Sequence, residues 1–358
     1  MMKIRTNKWL LCVSALVVVT LFQVIPGGGA FYASHVYPFL GSVLSRVSGL
    51  LPFAMGDLFI AVSIVGVMAY PLYALCRGQH SAKVVMGRVV RYLLWVYVWF
   101  YLAWGLNYSQ PDVYQRIGMQ PAEVSAKELK AFACRYADSL NATYMPIRRI
   151  DEGATRMAVA DGLCRLGSGR GYGRLGLNAP FNPHPHAKTM TFSWLSSMAG
   201  VTGSMGPFFC EFTLNGDLQP HEYPATYAHE YAHFLGIADE GEANFYSYLI
   251  CTSSADRATR FSGYYQIFFH VLANVRHILG EKEGKAFLQR VRPEIIRMAK
   301  EDREYWIALR SPLVDSVQDV LFEFYLKGNK VKEGRKSYSG VVALVLAWQR
   351  AMRRSSCA

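Results

Sequence analysis

The sequence predicts a mainly α-helical chain: three membrane helices at the N-terminal end, then an α-rich outer domain with a small β-sheet. Three observations carry that expectation. Apolar residues make up 52% of the 358 positions and charged ones only 18%, against roughly a quarter charged in ordinary soluble domains. Three uncharged apolar runs crowd the first 107 residues. Beyond them, helical periodicity dominates, broken only around residues 167–215.

The apolar runs are Trp9 to Ile25, Leu58 to Leu75 and Tyr92 to Leu106. A helix needs about 20 apolar residues to cross the hydrocarbon, or about 17 when flanking side chains snorkel. In the shortest run, YLLWVYVWFYLAWGL, Arg91 at one end and Asn107 and Tyr108 at the other suit the interface. A cleaved signal peptide is the alternative for the first run, since MMKIRTNK is basic and Gly28, Gly29 and Ala30 are small. Lys3, Arg5 and Lys8 precede the first run, and Arg77, Lys83, Arg88 and Arg91 separate the second from the third. The intervening segment has only Arg46, so the positive-inside rule places the N-terminus in the cytoplasm and residues 108–358 outside it, in a multi-pass cell-membrane protein.

The net charge of +12 is therefore largely a record of topology. Residues 1–107 hold 8 Lys and Arg against 1 acidic residue; of the chain's 38 and 26, 30 and 25 remain outside, an excess of five. Nucleic-acid binding is a poor inference from so mild a balance. The cluster Lys327, Lys330, Lys332, Arg335 and Lys336 reads as a solvated loop, with anionic lipid or wall polymer as the alternative partner. Five of seven cysteines, Cys134, Cys164, Cys210, Cys251 and Cys357, belong to the outer region, an odd number without a CxxC.

Residues 108 to about 165 read as helical. GYGRLG at Gly171 to Gly176 formally matches a dinucleotide loop, but no strand precedes it and LNAPFNPHPH cannot continue as the required helix. It reads as a loop. KTMTFSWL and PFFCEFTLN alternate as short strands would. No internal repeat interrupts the helical pattern that resumes at Pro224.

That pattern begins with YPATYAHEYAHFLGIADEGEANF. Pro224 suits the first turn of a helix and Gly236 lies just past its end. His229 and His233, four apart, share one face and can reach one ion; Glu230, about 100° round, can approach a water in an open position. A catalytic zinc needs a third protein ligand, and Asp239, Glu240 and Glu242 follow. If a helix starts at Asp239, Glu242 shares the face of Phe245, Tyr246 and Leu249, and it is the expected ligand. Glu240 is the reserve, and a capping box from Asp239 to Glu242 is the bland alternative. His221 has no histidine four residues on, and His184 and His186 fall in a loop. Tyr264, Tyr265 and His270 stand where an oxyanion partner could arise, without a specific signal.

LPFAMGDL, WGLNY, PFFCEFTLN, HEYAHFLGIADEGEANF, YLKGN and EGRKSY together resemble an uncharacterised bacterial family of membrane-anchored, zinc-metallopeptidase-like domains of unknown function, over roughly Pro52 to Trp348. HExxH followed by EAN is similar to the gluzincin-type arrangement in zincin-like peptidases. That resemblance implies zinc on His229, His233 and Glu242, with Glu230 as general base. The expectation is a zinc-dependent metallopeptidase, a hydrolase acting on an extracytoplasmic peptide or protein substrate beside the lipid bilayer. A catalytically silent receptor or assembly factor on the same fold is the alternative. An intramembrane protease is disfavoured, because Pro224 and the acidic run after Ala238 leave too little apolar length to span.

Overall fold

A computed structural model describes residues 8–78, 81–121, 124–314 and 340–356. Cys357, YLKGN, EGRKSY and the basic cluster from Lys327 to Lys336 lie outside them. The chain opens with α1 (Lys8–Val24), and a second helical stretch follows: α2 (Gly28–Phe31), a π-turn (Tyr32–Val36) and α3 (Tyr37–Ser48). Then come α4 (Met55–Cys76) and α5 (Ala82–Ala103). These two are each long and apolar enough to cross a membrane. α1 has 17 residues and qualifies only together with the stretch Gly28–Ser48, to which it is bent by 105°. Two helices long and apolar enough to span, or three if that bent pair is one, stand where three were expected. The break follows Pro26, whose ring removes a helical donor, and Gly27 at φ +81°, which a side chain would disfavour.

α4 and α5 are antiparallel neighbours joined by Ser63 Oγ to Tyr92 Oη (2.6 Å) and Arg88 Nη1 to Tyr70 Oη (2.8 Å). Asp57 at the start of α4 and Trp104 just after α5 consequently lie at the same end of the pair. At that end the helical part resumes with a 3-10 turn (Gly105–Ser109), α6 (Val113–Ile117), α7 (Ala126–Thr143) and α8 (Glu152–Arg170). α8 runs straight into the GYGRLG segment, which closes as a 3-10 turn (Tyr172–Leu175) with no strand before it.

A three-stranded sheet comes next: β1 (Lys188–Thr189), then, after α9 (Ser193–Met198), β2 (Gly203–Gly206) and β3 (Glu211–Leu214). The order is β1-β3-β2, with β1 parallel to β3 (Lys188 opposite Thr213) and β2 antiparallel to it (Gly203 opposite Leu214). KTMTFSWL thus yields a two-residue strand and the start of a helix in place of one strand. The helices α10 (Tyr223–Phe234), α11 (Glu240–Ser253), α12 (Arg257–Gln266), α13 (Phe268–Leu279), α14 (Glu281–Arg290), α15 (Pro293–Leu309) and α16 (Gly340–Ser356) complete the described fold.

α10 is buried along almost its whole length, packed on α11, α12, α8 and the sheet. The core is continuous across residue 107: Tyr32, Tyr37, Val98 and Trp104 belong to the same apolar cluster as Tyr231 and Phe234. The turn between β2 and β3 deepens this union. Phe208 and Phe209 pack on Phe59 of α4 (4.8 and 5.8 Å between ring centres), and Trp99 of α5 donates to the Phe208 carbonyl (3.0 Å). A buried ion pair, Lys188 with Glu211 (2.5 Å), ties sheet to span: Lys188 Nζ also donates to the Ser48 and Phe53 carbonyls, and Glu211 Oε1 accepts from Gly56 N–H at the start of α4.

Candidate metal centre

α10 stops as its sequence directs. Gly236 takes φ +98°, Gly236 N–H reaches the His233 carbonyl (2.9 Å) and Ile237 N–H reaches that of Ala232 (3.1 Å), the paired bonds of a Schellman turn. Carbonyls at this end also accept from the preceding part of the chain: Tyr37 Oη donates to Phe234 O (2.6 Å), Trp104 Nε1 to His233 O (3.0 Å) and Gln110 Nε2 to Gly236 O (2.5 Å). The tight turn then brings the next helix back beside His233.

α11 starts at Glu240 with Asp239 as its N-cap, whose side chain accepts from Glu242 N–H (2.9 Å). The two imidazoles on α10 face each other, Nε2 to Nε2, across 3.1 Å. Glu240 Oε2 lies 3.2 Å from His229 Nε2 and 3.5 Å from His233 Nε2. Tetrahedral zinc with ligand bonds of about 2.05 Å separates its ligand atoms by about 3.3 Å, so the three separations bracket that value. Tautomers fit as well. His233 Nδ1 faces the Ile237 carbonyl (2.6 Å), which only accepts, and His229 Nδ1 faces Asn244 Oδ1 (2.9 Å), which also accepts from Gln266 Nε2 (3.1 Å). In the neutral rings both Nδ1 atoms hold the proton, which leaves both Nε2 lone pairs for a cation.

Glu242 is elsewhere. Its carboxylate accepts from Val113 N–H (2.7 Å) and pairs with Arg116 Nη2 (2.5 Å), with both side chains about nine-tenths buried. Glu240, the reserve, is the carboxylate that the fold brings to the two imidazoles, and Glu242, the expected one, is not. Glu242 is buried on the inner face of α11 as expected, but two residues along a helix is about 200° of rotation, and the side carrying Glu242 and Tyr246 packs toward Arg116. The capping box is half present, since Asp239 caps Glu242 N–H while the Glu242 side chain does not reach back.

Glu230 is buried beside the triangle, and Oε2 has no hydrogen-bond partner. Burial pushes its carboxyl up, against the pull of the two histidines. Gly203 of β2 packs directly on it: a Cβ there would fall 2.4 Å from Glu230 Oε1. Burial works against charge on His233, but the Glu240 carboxylate overrides it and pushes the ring up to about 9. Glu240, partly desolvated although its side chain is half exposed, is held well below the usual carboxylate range by the two histidines.

Other sequence candidates are not brought to this site. His221 pairs with Asp302 (2.7 Å), which also accepts from Tyr265 Oη. His186 lies against Arg156 in the loop. Asn244 and Gly203 were missed; Asn244 was legible in principle, because it stands four residues after Glu240 and so shares its face.

The chain belongs to the family described as protein of unknown function DUF3810, whose model matches residues 32–346. Neither a curated protein nor a solved structure matches it.

Proposed function

We propose that this protein is a membrane-anchored, zinc-dependent peptidase in which His229, His233 and Glu240 hold the metal and Glu230 is the general base. The observation that carries the reading is the ligand triangle of 3.1, 3.2 and 3.5 Å with both Nδ1 atoms tied back. His229, His233 and Glu240 would hold the zinc, which when bound would supply Lewis acidity for the scissile carbonyl. Glu230, whose carboxyl is pushed up by burial, would accept the proton of the attacking water and return it to the leaving amine. Among the described residues β2 has a strand partner on one side only, and it lies against Glu230; an extended peptide adding to its free edge would run past that carboxylate.

The charge distribution supports an outer location for the site, with Lys8 and Arg77 to Arg91 on the cytoplasmic side. Alkaline phosphatase fused after residue 358 is then active in cells; an inactive, stable fusion refutes the orientation. For the chemistry, the full chain purified in detergent binds about one zinc and cleaves members of a peptide library. Glu230→Gln keeps the zinc and loses cleavage, whereas His233→Ala loses both. Zinc without turnover on any peptide points to a silent receptor, and no zinc at all sinks the metal centre.

A further inference from the structure

α9 is built inside out. Ser193 and Ser197, four apart on one face, turn toward the protein: Ser193 Oγ donates to the Met190 carbonyl (2.9 Å) and accepts from Gly216 N–H (3.0 Å), and Ser197 Oγ donates to Asp217 Oδ2 (2.6 Å). The opposite side carries Phe192, Trp194 and Leu195, exposed at 42%, 61% and 43%. A surface helix in water does the reverse. Polar groups are satisfied inward, and two aromatic rings with a leucine are left facing out.

Its position says what they face. Thr191 N–H donates to Asp57 Oδ2 (2.8 Å), and Asp57 is in the first turn of α4. Lys188 Nζ holds the carbonyls of Ser48 and Phe53, just before that helix, at 2.8 Å each. From Thr191 to Trp194 the backbone can reach at most about 11 Å, so the residues that carry the exposed rings start close to the end of an apolar helix. Leu50 and Phe53, on the same connection, are likewise exposed. The headgroup layer on each side of a bilayer is about 5 to 8 Å deep, and Trp prefers it.

We infer that the Phe192, Trp194 and Leu195 face of α9 seats in the lipid interface at the Asp57 end of α4, giving the domain a second, non-spanning membrane contact. The inference rests on α4 crossing the bilayer and not on the metal centre. Because β2 follows α9 and packs on Glu230, this contact also holds the wall of the site at the bilayer surface.

The test uses the full chain in phosphatidylcholine nanodiscs, with and without bromine high on the acyl chains. Subtracting the tryptophan emission of Trp194→Phe from that of the unaltered protein isolates Trp194, and Trp348→Phe isolates the buried Trp348. The Trp194 difference is expected to lose most of its intensity in brominated discs and to resist aqueous iodide, while the Trp348 difference is unchanged. Quenching of Trp194 by iodide and not by bromine overturns the inference. Protection from both quenchers overturns it too, because protein would then cover this face.

Discussion

Arg116 Nη2 meets Glu242 Oε2 at 2.5 Å in a nearly buried pair, and that contact decides which glutamate is left to face His229 and His233. Glu240→Gln is therefore expected to lose stoichiometric zinc. Glu242→Ala keeps it but leaves a buried guanidinium alone, at a cost of about 3–5 kcal/mol in unfolding free energy. Metal analysis beside denaturant unfolding separates the two. Zinc lost from Glu242→Ala under conditions where it remains folded would restore Glu242 as the ligand.

Asn244 orients His229 from behind, and Gln266 holds Asn244 in turn. Removing such a partner costs about 10- to 100-fold in metal affinity. Zinc titration of Asn244→Ala against a competing chelator should read a loss of that size, with one zinc still bound at saturation.

In the metal-free fold His233 keeps its proton up to about 9, above its ordinary 6.5. A raised pKa stabilises the metal-free fold most fully below about 6.5, and that contribution fades as pH rises through about 9. Zinc needs the neutral ring, so binding at pH 7.5 should release about one proton, and apparent affinity should fall about tenfold for each unit of acidification below 9. Calorimetry in buffers of different ionisation enthalpy counts the proton; a count of zero refutes the Glu240 to His233 coupling.

Tyr37 Oη supplies a buried hydrogen bond to the last carbonyl of α10. Tyr37→Phe leaves that carbonyl unsatisfied, a loss of about 1–3 kcal/mol. Deleting residues 1–107 removes Tyr37 and Trp104 together, so the fragment should melt earlier than the full chain in the same detergent and hold zinc less tightly. Equal melting temperatures would show that the outer region folds without its membrane part.

Glu211→Gln strands the Lys188 ammonium between two carbonyls in the interior, with an expected loss of about 3–5 kcal/mol. Replacing both partners, Lys188→Met with Glu211→Gln, should recover most of it, because no uncompensated charge remains. Failure of the double variant to recover would mean that the lysine's hydrogen bonds to Ser48 and Phe53 outweigh its charge.

Much of the site could be read without coordinates, because its signals are local. Four-residue spacing put His229 and His233 on one face, Pro224 and Gly236 marked where α10 starts and stops, and Asp239 announced the next helix. The second and third apolar runs lie in α4 and α5 for the same reason, since apolar length is a property of the chain itself. The bend after Val24 was less legible: Pro26 and Gly27 were visible, but whether the following helix turns back is decided by Tyr32, whose hydroxyl binds the Leu102 carbonyl (2.8 Å) at the end of α5. KTMTFSWL alternated like a strand, yet it found a strand partner for only two residues, and the serines after them turned inward to Gly216 and Asp217.

By itself, then, the amino-acid order determined most of the helical segments, the start and stop of α10, the paired histidines and the position of Glu230 between them, all of which depend on neighbours within a few residues. Tertiary structure alone decided that Glu240 faces the imidazoles, that Tyr37 and Trp104 bind the end of α10, and that α9 turns its apolar side outward. Each of these depends on a partner more than a hundred residues distant, Arg116 for Glu242, Tyr37 for Phe234 and Asp57 for Thr191. A charge or a carbonyl is satisfied by whatever arrives in space, and spacing along the chain does not encode that arrival.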